Sequence, residues 1–435
     1  MTAEVRTIKT AAEQALAETY AKAKGTLPGA GTIATLRDAA FRQFDAQGLP
    51  HRRVEEWKYT DLRALVRDAK PLAAPPDASA KATAGKIAAP FSALKPRQLT
   101  VVDGMFVADQ SDLTAEAGLR IGSMSEALVR GDALVAAHVG KVFETADPAL
   151  ALNTSLMGDG AVIHVAAGTQ VARPIALIFA GTQDAAVFTR SLVVVDKGAT
   201  VTLIEIHESG STQVNTALEL VAGEGARVDH LKITRAGALH LSTLLARIGA
   251  RTAFNSFAFT RDSTLVRNQS FVRFAGGNTE AAIGGLSLLK GKEHVDNTLV
   301  IEHAAVGGVS RERFRSVLEE QGRAVFQGKI IVAPGAQQTD AKMLSNALLL
   351  SDDAEADNKP ELEIFADDVQ CGHGATAGAL DEELLFYLRA RGIPRQEAEA
   401  LLVQAFVGEV IDSLPQDSLR EPLMNAAVEW LRARG

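Results

Sequence analysis

The regular punctuation of the long middle stretch constrains this chain most. Between about Gln98 and Leu380 the turn pairs Ala167-Gly168, Lys197-Gly198, Glu224-Gly225, Ile248-Gly249 and Gly276-Gly277 recur roughly 25 to 30 residues apart. A small residue and then β-branched residues follow the glycine, as in Gly198-Ala199-Thr200-Val201-Thr202 and Gly225-Ala226-Arg227-Val228. Between the turns lie short runs with alternating or continuous apolar patterning, from Leu99–Val102, Ala161–Val165 and Ile175–Phe179 through Ser191–Val195, Thr200–Ile206 and Arg227–Ile233 to Glu280–Leu289, Ala324–Val332 and Glu361–Phe365. These are strand lengths. A β-helix coil of two or three short strands needs about that many residues. A β-sandwich is the alternative, but more than a dozen strands without crossover helices are too many for one sandwich, so the pattern predicts a solenoid.

Helical patterns flank and once interrupt this zone. Thr10–Lys24 is rich in Ala, Glu and Leu, which favour helix; Pro28-Gly29 breaks it and Ile33–Gln47 resumes apolar spacing at three and four. A polar, aromatic-bearing segment, Arg52–Leu62, follows, and the Ala/Pro-rich stretch Pro71–Pro90 reads as a connector. Ser123–Phe143 is a helical interruption near the start of the strand zone. Beyond Asp381, Leu384, Leu385, Phe386 and Leu388 fall on one helix ended by Arg391-Gly392-Ile393-Pro394; Arg395–Leu414 and Ser418–Ala433 follow on either side of Pro415. These amphipathic helices are suited to pack on a neighbour. The expected organisation is an N-terminal helical domain over 1–95, a β-helix core over 96–380 and a C-terminal helical domain over 381–435.

Composition narrows the function. Aromatics are only 5% of the 435 residues, so a pocket lined by aromatic rings is not expected. With 53 acidic against 45 basic residues, a net charge of −8 and no Lys/Arg cluster, the chain is a poor binder of nucleic acid or anionic membrane. Met1–Arg6 leads into a mixed polar helix rather than the apolar core of a signal peptide, and no apolar run approaches the roughly 20 residues that span a bilayer. A single cysteine excludes an internal disulfide framework, and the chain is expected to be cytoplasmic.

Motifs of stand-alone catalysis are missing. No G-x-x-x-x-G-K-[ST] occurs, Gly291-Lys292-Glu293 lacking the loop glycine and the hydroxyl, and neither H-E-x-x-H nor G-x-S-x-G is present. The nine histidines are scattered, and most stand singly in strand patterns, which favours structural or surface roles. His294, with Lys292, Glu293 and Asp296, forms a polar corner that could be an active one, against the ordinary reading of a solvated turn.

Cys371 and His373 stand apart. They follow Asp367-Asp368 and are interleaved with Gly372 and Gly374, which allow close backbone approach. In an extended segment positions i and i+2 share a face, so thiol and imidazole project together, and both suit iron or zinc. The alternative makes Cys371 a small buried hydrophobe and His373 a turn cap; residue type alone leaves both open. A tetrahedral metal site or a cubane cluster needs about four ligands, and one cysteine makes a second polypeptide necessary. A nucleophilic Cys–His pair would need no partner, but Asp367 and Asp368 would raise the thiol pKa.

The segments Phe326–Ile330, Asn346–Ser351, Pro360–Ile364, Asp367–Thr376 and Leu384–Ile393, with Glu55-Glu56-Trp57-Lys58-Tyr59-Thr60 near the N-terminus, resemble the SufB/SufD family over essentially the whole chain. The single cysteine sets it nearer the SufD branch. The resemblance implies a right-handed parallel β-helix with helical domains at both ends, and a non-catalytic scaffold subunit that assembles with SufB and the ATPase SufC to build nascent iron–sulfur clusters. It implies that His373, with Cys371 beside it, lies at the SufB interface as a candidate cluster ligand, no cofactor being held by this chain alone. It further implies that the helices from Asp381 onward, with Leu384, Phe386, Tyr387, Arg391 and Phe406, form the platform for SufC. The self-similar β-helix edge also permits pairing with a second copy when the chain is isolated. The rival reading is a β-helix enzyme acting on a carbohydrate or another small molecule; the charged clusters repeated along one face, and the secretion, that such an enzyme would show are not evident.

Overall fold

A computed structural model describes residues 9–87 and 89–433, for residues 89 and 90 the backbone only; Met1–Arg6 lies outside the described residues. The chain is 40% strand and winds into a parallel β-solenoid of about seven turns, with helices at both ends of the sequence. Each turn is built from two strands, mostly ten residues long, and not three. Strands that alternate in sequence fall into two sheets, one starting at Arg97–Val102 and ending at Val369–Gly378, the other starting at Leu119–Ser123 and ending at Glu355–Ile364. The register supplies the repeat directly: Thr200 pairs with Arg227, Ala253 with Arg227 and with Glu280, and Glu280 with Val309.

One corner of every coil is a stacked turn. Gly168, Gly198, Gly225, Arg251, Asn278, Gly307 and Gln338 all have positive φ, and each donates its N–H to a carbonyl of the next coil at 2.6 to 2.9 Å. Four of the seven are thus glycine, where the left-handed region is free of Cβ strain, and asparagine is tolerated there too. Gly249 and Gly276, which the sequence pattern offers as turn glycines, lie just before this position. They matter for a different reason: a Cβ on Gly276 would stand 2.1 Å from the backbone nitrogen of Ala250, so stacked backbones leave no room for one.

Inside the solenoid, Leu203, Val228, Phe254, Ala281, Ile301 and Ile330 belong to one apolar column. The alternate residues point outward and are covered on both faces. Helices Ala11–Ala23, Thr32–Gln47 and Pro148–Leu156 pack on one sheet, through Leu16, Phe44 and Leu152, joined by Trp57 of the Glu55–Trp57 turn, against Phe188 and Leu241. Helices Arg395–Ile411 and Asp417–Arg432 pack on the other, through Val403, Val407, Leu423 and Trp430 against Phe257, Leu286 and Val317.

Several expected elements change shape. The helical interruption over Ser123–Phe143 is two short helices, Met124–Arg130 and Ala133–His138, separated at Gly131, whose left-handed conformation caps the first. The Pro71–Pro90 connector contains the helix Ala78–Ala84, started by the Asp77 side chain accepting from the Ala80 N–H. Many strands run longer than their apolar patterns: Leu239–Ile248 begins before Leu241, and Leu265–Phe274 before Asn268, because His240, Ser242 and Asn268 occupy inward positions that periodicity assigns to apolar side chains.

Candidate functional site

The last strand, Val369–Gly378, has a neighbour on one side only, and so does Glu355–Ile364 at the end of the other sheet. The solenoid therefore ends in two bare strand edges, which offer backbone donors and acceptors to another chain. Pro360, mid-strand in Glu355–Ile364, is tolerable because that strand is an edge.

Cys371 lies opposite Ala341 in this parallel ladder, and His373 opposite Met343. Both partners are buried in the inward column, and Cys371 itself packs against that column. The two donor side chains thus share the inward face, as the i, i+2 spacing predicts, on the coil that nothing caps. Cys371 is half-buried and His373 exposed. Burial pushes the Cys371 thiol up, with Asp340 and Glu312 adding to the effect and a hydrogen bond to the Ala341 backbone opposing it. Asp367 and Asp368, expected to be responsible, are exposed loop residues and are not among the causes; the Asp368 N–H is instead held by the Gln337 side chain at 2.9 Å. One coil further in, Glu312 stands opposite Met343 with neither carboxyl oxygen hydrogen-bonded, and burial pushes its carboxyl up to about 8.

Gly372 and Gly374 face the other way. A Cβ at Gly372 would meet nothing within 4 Å, and one at Gly374 only Leu344, at 3.2 Å. The close approach these glycines permit is not used within this chain. Among the described residues, no group of three or more His, Cys, Asp or Glu side chains could hold a metal ion. Among those residues, Cys371 and His373 are two donors without a third.

On helix Glu382–Ala390, Leu384 is 51%, Phe386 74% and Tyr387 55% exposed, while Leu385 turns inward. Arg391 stacks over the Tyr387 ring and donates to its hydroxyl at 2.8 Å, so these two make one surface. Phe406 is not part of it: half-buried on the next helix, it lies beneath the Arg315 guanidinium and packs against the sheet-facing cluster.

The polar corner at His294 is not a solvated turn. Arg267 and Asp296 form a fully buried ion pair on the outer face of the solenoid. Thr60 donates to Asp296 and contacts the His294 imidazole at 3.0 Å, and Arg267 lies 3.7 Å over the Trp57 ring while donating to the Glu56 carbonyl. Trp57 donates to Asp147 at 2.9 Å. The Glu55–Thr60 segment is thus a clamp that fixes the N-terminal helices to the solenoid. Burial holds His294 below the usual imidazole range, and Glu293 is occupied in accepting from the Lys290 N–H.

A second polar cluster went unseen in the sequence. Glu205, His207, His230, Lys232 and His240, each apparently isolated, converge inside the solenoid, with Glu205 3.3 Å from His230. The signal that could have found them is the coil register: Glu205 pairs with Lys232, and Leu203 with His230.

Comparison with known proteins bears on the family. The family model for the SUF system FeS cluster assembly SufBD core domain matches residues 178–406, and that for the SufBD protein N-terminal region matches residues 10–177. The iron–sulfur cluster assembly protein SufD of Escherichia coli is 31% identical over 402 residues, covering 88% of this chain and 90% of its own. An iron–sulfur cluster assembly SufBD family protein of Synechocystis is 29% identical over 399 residues, covering 86% and 85%. SufD of Bacillus subtilis is 27% identical over 288 residues, covering 63% and 65%.

Proposed function

The chain belongs to the SufBD family of the SUF iron–sulfur cluster assembly system, and on that premise we propose that it is a SufD-like, non-catalytic scaffold subunit that acts in the cytoplasm and contributes half of a shared site for a nascent cluster. The observation that carries this reading is the pair Cys371 and His373 on the inward face of the last, edge strand, without a third ligand in reach among the described residues. A second solenoid of the SufB kind, adding to the bare edges, would bring the remaining ligands. The cluster is cargo here: it is built at the junction and passed on.

His373 is the better ligand of the two. It is exposed, whereas burial disfavours the Cys371 thiolate that metal binding requires. The helix that exposes Leu384, Phe386 and Tyr387, with Arg391 at its end, is the proposed dock for SufC, whose ATP hydrolysis would shift the two scaffold subunits relative to each other. Phe406, on the next helix, packs toward the sheet and Arg315 and not into this dock. The absent nucleotide-binding and hydrolase motifs fit a subunit that leaves hydrolysis to its partner.

Co-expression with SufB and SufC tests the reading. The three chains should co-purify, and Phe386→Asp should release SufC while SufB stays bound. A chain that purifies alone from such a co-expression, or a Phe386→Asp variant that retains SufC fully, would overturn it.

A further inference from the structure

The buried cluster in the middle of the solenoid is independent of the open-end site. Strand Thr200–Ser209 sends Glu205 and His207 inward, Arg227–Ala236 sends His230 and Lys232, and Leu239–Ile248 sends His240. All five are at least nine-tenths buried. Some of their polar atoms are satisfied. His230 contacts Glu205 at 3.3 Å and Ser256 at 3.0 Å, and the Lys232 ammonium donates to Ser242 at 2.7 Å and Asn268 at 2.6 Å.

The other two imidazoles are not. Neither ring nitrogen of His207 nor of His240 has a hydrogen-bond partner, and the Thr234 hydroxyl beside them has none either. His207 Nε2 stands 3.7 Å from Glu205, beyond a hydrogen bond. Its ring stacks on Phe179 at 4.5 Å and meets the His240 ring edge-on at 4.9 Å. Buried polar atoms are almost always paired, with ordered water if not with protein. The space for water is there: a cavity of about 20 Å³ is lined by His207, His240, Phe179 and Ser209, and one of about 30 Å³ by Glu205, His230, Lys232, Ser242 and Asn268. A water needs roughly 10–15 Å³ by this measure, so the two cavities have room for a few water molecules but not for an organic ligand. A metal ion is not indicated, because these donors are not gathered within reach of a common centre.

We propose that this chamber is a proton-operated joint: ordered water completes the hydrogen bonding of the neutral His207 and His240 rings, and proton uptake by those rings, beside the buried Lys232 ammonium, opens the coils over residues 200–248. The titratable groups facing the two rings are Glu205, from the coil of His207, and His230 and Lys232, from the coil of His240. The strands Ile175–Gly181, Gln213–Ala222, Ala253–Arg261 and Leu265–Phe274 send no ionisable side chain inward here. Glu219 and Arg267 lie on outer faces, bound to Arg190 and Asp296, and Glu208 stands at the rim. His303 is buried elsewhere, against Ser310. One carboxylate therefore faces one ammonium, and a further positive charge has no counter-ion. Burial accordingly holds His207 and His240 below the usual imidazole range. The unfolded coil binds more protons than the folded one below about pH 6.5, so stability falls as pH falls through that region.

Hydrogen–deuterium exchange of the full chain, corrected for intrinsic rates, at about pH 7.5 and about pH 5.5 tests this. Amides of residues 200–248 should lose protection roughly tenfold or more at the acid pH, relative to the strand Arg323–Val332. His207→Gln/His240→Gln, which keeps polar atoms but cannot titrate, should abolish that difference; His240→Gln alone should reduce it if the double variant does not fold. An equal response in both regions, or a full response in the variants, overturns the joint. A high-resolution crystal structure should place water within hydrogen-bond distance of both rings, and a dry chamber overturns the proposal equally.

Discussion

His373 stands directly across the parallel ladder from Met343, which is only 2% exposed, yet His373 itself is open to solvent because no coil follows its own. The same backbone position that is core in one coil becomes an exposed imidazole in the next. That is a property of where the solenoid stops rather than of the local sequence. It accounts for a pair of soft donors lying on an inward face without being sealed in.

The clamp between the N-terminal segment and the solenoid should be sensitive to Asp296. Asp296→Ala leaves the Arg267 guanidinium buried and without its counter-ion, beneath Trp57. Breaking a buried pair by removing one partner costs about 3–5 kcal/mol. Urea denaturation should show a loss of that size, and a loss below about 1 kcal/mol would mean the clamp carries little of the stability.

Two glycines separate backbone conformation from backbone crowding. Gly168 has φ +72° with open space around it, so Gly168→Ala should cost only about 1–2 kcal/mol of left-handed strain. Gly276→Ala would drive a methyl group to 2.1 Å from the Ala250 nitrogen, where stacked turns cannot yield. It should cost clearly more, about 3 kcal/mol or above, measured in the same denaturation series. Equal costs would refute the distinction.

Glu312 sets a pH dependence opposite to that of the histidines. Its folded carboxyl is pushed up to about 8 by burial, from an unfolded value near 4.5. The folded state therefore holds the extra proton between those values. The stabilising contribution is complete below about pH 4.5 and is lost as pH rises through about 8. Glu312→Gln, which cannot ionise, should raise stability by roughly 1–3 kcal/mol near pH 8 and change it little near pH 5. Thermal unfolding across that range would show an unchanged pH profile if the carboxyl were not buried in its neutral form.

The solenoid was legible because one corner of each coil repeats a turn at near-constant spacing and because the strands at that corner are apolar inside. Strand ends were not, since the far half of the interior is polar: His240, Asn268 and Ser310 interrupt the pattern that periodicity reads. The Cys371–His373 juxtaposition followed from spacing alone, and the structure adds that it sits at an uncapped end. The cause of the raised thiol was misplaced, because Asp340 and Glu312 come close only through the ladder, whereas Asp367 and Asp368 are neighbours in sequence alone. The His294 corner was misread for the same reason: its partners Thr60 and Glu56 lie more than two hundred positions away.

The shared-site account is tested most directly by iron and acid-labile sulfide content of the complex co-purified with SufB and SufC, comparing the wild-type chain with His373→Ala. The account predicts an intact three-subunit complex with clearly lowered iron and sulfide, and a smaller loss for Cys371→Ser. Full loading of the His373→Ala complex would contradict it.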